Sequence, residues 1–335
     1  MLCKTYTAAL LFCAAVLPLF AAGTKDRNKT SPENRIILRL ADNQPDGYPT
    51  VTGDLAFARL VAERSGGRIT IEVYNNGLLG DEKSVIEQVQ FGGIDFCRVS
   101  ISPLASFYPD LNVLQLPYLY RSSLHLWNVL NGEIGSFFLD AVNSSGFQGL
   151  CYFDSGARSF YTVGKPIRSV KDMKNLRIRV QESSLMMALV SALGAVPVPM
   201  RYEYVYEALR MRDIDGAENN FPSYDSSGHY EVARFFSVDE HTRVPEMLIA
   251  SNMSLDKLSA PDRALILQAA KDASVIQIQA WADYEQSSRL RMQEAGCVIL
   301  PIENVQEFAE AISPVYGALS ETQRRLVAKI RAVED

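Results

Sequence analysis

Two arginines stand in the short segment Leu176-Arg177-Ile178-Arg179-Val180, just ahead of Gln181-Glu182-Ser183. A strand turns alternate side chains to opposite faces, so Ile178 and Val180 share one side and Arg177 and Arg179 the other. A face with two guanidinium groups is either solvated or turned toward an anion. A planar guanidinium can meet a carboxylate through two parallel hydrogen bonds, which gives orientation as well as attraction. The residues of this segment alone leave both readings open.

Catalytic chemistry finds less support. HExxH, the Walker loop, GxSxG and GxGxxG are all absent. His125, His229 and His241 are scattered, with no metal-ligand spacing. Ser254-Leu255-Asp256-Lys257 fits SxxK without the partner motifs of that enzyme class. Asp81-Glu82 follows Gly80 at a helix start, where negative charge stabilises exposed N–H groups, and this is preferred to a paired acid–base role. No catalytic residue, metal or cofactor is expected.

The elements that must position these groups follow from periodicity. Ile36 to Ala41 reads as a strand, Asp42 to Pro49 as a loop, and Asp54 to Arg64 as a helix ended by Gly66-Gly67. Ile69 to Tyr74 is a β-branched strand, Asp81 to Gln90 a helix, and Ile94 to Val99 a buried strand. This βαβαβ order favours a largely parallel sheet with helices on its faces. Part of the pattern recurs 120 residues later: Val85, Glu87, Val89 and Ile94-Asp95 match Val205, Glu207, Leu209 and Ile214-Asp215. Two similar lobes imply a cleft between them, where small ligands bind. Ala260 to Ala295 has helical spacing and no proline after Pro261; at about 1.5 Å per residue it would reach across both lobes.

The bulk of the chain fits this picture. Its 335 residues, 47% hydrophobic and 21% charged, suggest two domains with cores of their own. A net charge of -6 argues against a nucleic-acid surface. Lys4, the apolar run Ala8 to Ala22 and the small residues Ala21, Ala22 and Gly23 form the layout of a secretory signal peptide. Cys13 lies in that run, but Phe12 stands where a lipoprotein signal usually has a small residue. Cys97, Cys151 and Cys297 sit in apolar contexts and are read as buried hydrophobes, with one disulfide among them left open.

Several further segments carry a resemblance. Leu176-Arg-Ile-Arg-Val-Gln-Glu-Ser183, Leu193-Gly-Ala-Val-Pro-Val-Pro-Met200, Val205-Tyr-Glu-Ala-Leu209 and Ile214-Asp-Gly-Ala-Glu-Asn219 follow one another in order. Upstream stand Leu79-Gly-Asp-Glu82, Gly93-Ile-Asp-Phe96, and Phe107-Tyr-Pro109 with Leu116-Pro-Tyr118. From about Ile36 to the C-terminal helices the chain resembles the DctP-like solute receptors of tripartite ATP-independent periplasmic (TRAP) transporters. The resemblance implies an α/β, two-lobed periplasmic-binding-protein-like fold. Each lobe would be a mixed, mostly parallel sheet flanked by helices, with a long C-terminal helix spanning both. The division expected is 1–23 signal peptide, 24–34 linker, 35–154 and 245–284 lobe I, and 155–244 and 285–335 lobe II.

In that family the arginine of the Leu-x-x-Arg-Val strand pairs with the ligand carboxylate, and it falls on Arg179. A second arginine after a Gly-x pair falls on Arg158, and the asparagine ending Asp-Gly-x-Glu-Asn falls on Asn219. The chain departs from the family at Asn220-Phe221-Pro222, where proline usually follows the asparagine directly, and at Ser100, near which sugar-acid receptors carry an acidic residue. Arg98 stands in a strand that is usually apolar or small, with a lobe-surface position as its plainer reading. Tyr48, Tyr108, Tyr152, Tyr202, Phe221 and Tyr224 are expected around the cleft, about half of them in it. The expected ligand set is Arg179, Arg158, Asn219, Tyr202, Tyr48, Ser100 and Phe221. The expected function is periplasmic capture of a small organic acid and its delivery to integral-membrane TRAP subunits, with an accessory periplasmic protein as a further partner. The low acidity expected of the pocket points to an apolar or simple carboxylic acid rather than a polyhydroxylated sugar acid. The alternative is an exported enzyme acting on a carboxylated substrate.

Overall fold

The computed structural model describes residues 35–335; the segments read as signal peptide and linker, with Cys3 and Cys13, lie outside the described residues. Strands β1 (Ile36–Ala41), β2 (Ile69–Tyr74) and β3 (Phe96–Ser100) run parallel. With β4 (Phe147–Phe153) and the antiparallel β10 (Glu246–Ser251) they form a sheet of order β2-β1-β3-β10-β4. The second sheet contains β5 (Ala157–Thr162), β6 (Arg177–Val180), β7 (Val196–Pro199), β8 (Gly216–Asn219), β9 (Phe235–Arg243) and β11 (Val298–Pro301), in the order β11-β9-β5-β8-β6-β7. Within it β6 is parallel to β7 and β8, while β5 is antiparallel to β8 and β9.

Both faces of each sheet are covered, so the strands read as apolar runs rather than alternating ones. In the first lobe Leu40, Phe57 and Phe96 pack on one side, and Ile86, Val99 and Met247 on the other. In the second, Tyr161, Ala217 and Phe236 oppose Phe160, Ile178 and Leu189. The helix expected from Asp54 begins earlier, at Pro49. Proline is suited to a first turn because its φ is already helical and its missing N–H would have no partner there. Asp81 caps the helix Glu82–Gln90 by accepting from the Ser84 N–H, as its place after Gly80 suggested.

The chain crosses between lobes at Asp154–Gly156, where β4 leads into β5, and returns at Val244–Pro245, where β9 leads into β10. Gly156 has φ +61°, and a Cβ there would lie 2.9 Å from Glu285 and Trp281. The helix Ala260–Glu294 is continuous over 35 residues, about 52 Å. Its Ile266, Ala269, Ala270 and Ala273 pack into the first lobe, and Met292 enters the core of the second. Between them Trp281 lies edge-on to the Tyr48 ring, 5.9 Å between centroids.

The C-terminal residues 285–335, assigned from sequence to lobe II, divide between both lobes. β11 extends the second sheet beside β9. The helix Glu321–Ala332 then docks on the first lobe: His125 Nε2 lies 2.9 Å from the Ile330 carbonyl, and Arg121 donates to the Val333 carbonyl at 2.7 Å. Burial of Val327 and Ile330 on one face of that helix accounts for the return.

The 120-residue repeat is structural. The helices Glu82–Gln90 and Val205–Arg210 each turn into a strand, β3 and β8, through a residue of positive φ, Gly92 and Arg212. Asp95 accepts the Arg39 N–H at 2.7 Å while Arg39 donates to the Gly93 carbonyl. Asp215 accepts the Arg177 N–H at 2.8 Å while Arg177 donates to the Arg212 carbonyl. Each Ile-Asp pair therefore ties a neighbouring strand to the turn. This explains why Arg177 and Arg179 part company: Arg177 is exposed and bound to Asp215, whereas Arg179, two residues further along β6, is buried.

Candidate functional site

The lobes meet around a polar cavity of about 30 Å³, lined from both sides. Three interlobe contacts hold it shut. Tyr48 Oη lies 2.8 Å from Ser223 Oγ, Gln181 donates to Ser100 Oγ at 3.0 Å, and Arg201 lies 3.3 Å from Asp81.

Three arginines line the cavity, and their partners separate their roles. A guanidinium has five N–H donors. Arg98 is 2% exposed and spends all five, two on Asp42 and one each on Asn43, Glu246 and, at 3.5 Å, Glu82. Arg158 grips both oxygens of Glu218, its main-chain carbonyl, and Asn219 Oδ1 at 2.9 Å, leaving one donor. Arg179 is different. It donates only through Nε and one Nη2 hydrogen, both to the Met200 carbonyl at 2.9 and 2.6 Å. Three of its five N–H groups stay unclaimed, and among the described residues no carboxylate pairs with it.

Burial lowers the pKa of Arg179, with Glu218 and Tyr161 opposing. A buried cation without a counterion is costly unless something arrives to pair it. Tyr202 lies against it, the guanidinium carbon 5.9 Å from the ring centroid, and donates to the Ser223 carbonyl. His229 cannot serve as a second cation here, because burial and Arg179 push its pKa down to about 3. Asn219 Oδ1 accepts from Arg158 and from the Asn220 N–H, so its amide nitrogen remains free to donate into the cavity.

The opposite wall belongs to the first lobe and carries Glu82, Glu246, Asn43 and Arg98. Asp42 stands behind Arg98 and also accepts from Thr50 at 2.9 Å and from the Gln44 N–H. Burial raises Glu246 to about 7, against the pull of Arg98. Asp54, also buried, is pushed well above the usual carboxylate range by burial and by Asp42.

Five of the seven expected ligand residues line the cavity: Arg179, Arg158, Asn219, Tyr202 and Tyr48. Ser100 lies behind it, its hydroxyl engaged by Gln181 and by the Ser102 N–H. Phe221 stacks on Phe236 at 4.3 Å, on the core side of the helix Phe221–Ser226. Of the other aromatics, Tyr152 and Tyr224 are core residues, and Tyr108 packs against the core from its edge. Arg98, for which a lobe-surface position is the plainer of two open readings from sequence, is buried at the cavity wall. Its ion pairs with Asp42 and Glu246 make that position tenable. Sequence reasoning missed Glu82, Glu246 and Gln181 as cavity residues; a lone acid opening the apolar run Met247–Ala250 was the available signal for Glu246. Cys97, Cys151 and Cys297 are all free thiols.

Two lobes joined by crossing strands, with an unpaired buried arginine in the gap, define a periplasmic-binding-protein-type receptor. The chain matches the family described as bacterial extracellular solute-binding protein, family 7 (DctP), over residues 40–323, and it belongs to that family of TRAP solute-binding proteins. It is 36% identical over 291 residues to a solute-binding protein of Chromohalobacter salexigens, covering 87% of each chain. Its structure is similar to that of a TRAP periplasmic solute-binding protein from Bradyrhizobium sp. BTAi1 in complex with α/β-D-galacturonate. The TM-score is 0.86 at 43% identity, covering 88% of this chain and 99% of that one. A second such protein, from Roseobacter denitrificans with bound β-D-glucuronate, aligns with TM-score 0.87 at 35% identity, covering 89% of this chain and all of the other. These findings overturn the expectation of a rather apolar ligand. The walls of the cavity are polar on both sides, and the similar receptors hold hydroxylated acids.

Proposed function

We propose that this protein captures a hexuronate, such as D-galacturonate or D-glucuronate, in the interlobe cleft and presents it to the membrane subunits of a TRAP transporter. The carrying observation is Arg179, buried at the cavity wall, with three N–H donors unclaimed and no carboxylate partner among the described residues. Its guanidinium would take the ligand carboxylate, and Asn219 Nδ2 with the remaining Arg158 donor would assist. Tyr202 and Tyr48 would pack the sugar body. Ligands of this class occupy similar receptors, which supports the reading. Closure follows because both walls touch a ligand only when the lobes meet.

Residues 1–23 would direct export to the periplasm, where a relative from Rhodobacter capsulatus, a C4-dicarboxylate-binding periplasmic protein, resides by name. No described helix is long and apolar enough to cross a membrane. The relatives are binding proteins of transport systems, which weighs against the enzyme alternative. The test is titration calorimetry with both hexuronates on the wild type and on Arg179→Ala. Charged hydrogen bonds contribute about 1.5–3 kcal/mol each, so losing two should weaken binding about a hundredfold or more. Unchanged affinity in the variant would remove Arg179 from its role.

A further inference from the structure

The two walls of the cleft are electrically unlike, and the difference sits at equivalent positions of the repeat. Position 98 of β3 corresponds to position 218 of β8, by the same offset of 120 that relates Asp95 to Asp215. The first lobe has arginine there and the second has glutamate, and each has gathered opposite partners. Around Arg98 lie Asp42, Glu82 and Glu246, three carboxylates for one cation. Around Glu218 lie Arg158 and His241, with Arg179 beyond.

What each wall can offer a ligand follows from its uncommitted atoms. Arg98 has no donor left. Glu82 accepts the Ser100 N–H at 2.8 Å and Arg98 at 3.5 Å through Oε1, and its Oε2 is unclaimed. Glu246 meets Arg98 through Oε2, and its Oε1 is unclaimed. The first-lobe wall therefore presents two carboxylate acceptors and no spare guanidinium donor, with the formal charge around Arg98 at +1 − 3 = −2. Such a wall welcomes hydroxyl donors. It repels a second carboxylate, which could not donate to it and would find no open guanidinium on Arg98.

We propose that Glu82 and Glu246 are specificity-determining residues that admit monocarboxylate sugar acids and exclude the aldaric acids, which carry a carboxylate at both ends of the same carbon chain. This rests on the reading of Arg179 as the anchor for one carboxylate. With one end held at Arg179, the far end of the ligand meets the acidic wall, and a hydroxyl or hemiacetal there donates where a carboxylate is pushed out. Like charges set against each other across an interface serve discrimination in this way.

The experiment compares galacturonate, galactonate and galactarate by calorimetry at pH 8. Galactonate and galactarate are both open chains, so their ratio isolates the second carboxylate from ring shape. Galactarate should bind the wild type at least about tenfold more weakly than galactonate. In Glu82→Gln and Glu246→Gln, which keep size and acceptor oxygens but remove charge, that ratio should shrink about tenfold or vanish. Glu82→Gln is the safer variant, since Glu82 is the more exposed of the pair, and thermal melting confirms that each folds. Equal affinity for both open-chain acids, or a ratio unmoved in both variants, overturns the proposal while leaving the anchor intact. Failure of every acid to bind, or indifference to Arg179→Ala, instead brings down the receptor reading itself.

Discussion

Tyr48 Oη, on the first lobe, lies 2.8 Å from Ser223 Oγ, on the second, and the same tyrosine ring meets Trp281 of the long helix edge-on. One side chain thus joins both lobes and the strut that spans them. Tyr48→Phe would remove a single neutral hydrogen bond present only when the lobes are together. A bond of that kind contributes about 0.5–1.5 kcal/mol, so dissociation should quicken roughly two- to twelvefold with little change in association. Stopped-flow tryptophan fluorescence reads this directly, because Trp281 reports on the contact. An unchanged release rate would show that this bond does not hold the cleft shut.

Arg179→Lys keeps the positive charge and should still lose at least about tenfold in affinity. An ammonium is a point charge, and it cannot hold the Met200 carbonyl and a carboxylate in one plane as the guanidinium does. Calorimetry with D-galacturonate against wild type and Arg179→Ala would place the lysine variant between them. Wild-type affinity in Arg179→Lys would mean that charge alone suffices.

Arg158 and Arg179 line the same cavity, yet their removal should have opposite signatures. Arg158→Ala takes the guanidinium from the buried Glu218 and leaves it only His241, 3.5 Å away, at a cost of about 3–5 kcal/mol of stability. Arg179→Ala removes a buried cation that lacks a counterion, and should leave the ligand-free melting temperature unchanged or higher. Scanning calorimetry without ligand separates the two; equal destabilisation would contradict the division of roles.

Stability should peak near pH 5 and fall toward pH 9. His241 is buried, but Asp239 and Glu218 outweigh burial and raise its pKa to about 9. Its contribution is therefore full below about 6.5, the unfolded value, and is lost as pH rises through 9. Glu246, raised to about 7 by burial, works in the same direction between about 4.5 and 7. Glu218 runs the other way. Arg158 and His241 hold it at about 2, so its contribution is full above about 4.5 and is lost as pH falls through 2. Melting temperature between pH 5 and 9 checks the slope, and His241→Gln should flatten it above pH 6.5.

Much of this was legible in the chain. Local periodicity gives the β1, β2 and β3 lobe core and the long helix to within a few residues, because each is set by neighbours in sequence. The Ile-Asp repeat points to two lobes, whereas the family resemblance, and not its segment alone, singles out Arg179 from Arg177. The acidic wall was hidden, because Arg98 meets Glu246 across 148 residues and no local pattern foretells that pairing. Arg98 taken alone looks like a surface cation. Phe221 and Ser100 were misplaced for a related reason: whether a residue beside a cleft faces it or the core depends on the turn of a short helix or strand end, which spacing does not resolve. The return of the last helix to the first lobe is another long-range contact, made through main-chain carbonyls that leave no mark in residue type.

The strut Ala260–Glu294 has a consequence for how the cleft opens. A rod of that length resists stretching, and it is seated in the cores of both halves. Separation of the halves must therefore occur by bending or pivoting about that rod rather than by drawing apart. The crossing at Gly156, whose missing methyl group leaves room for Trp281 and Glu285, is where the chain would have to swivel. The entrance then gapes on the side away from the rod, so an arriving ligand must use that single doorway.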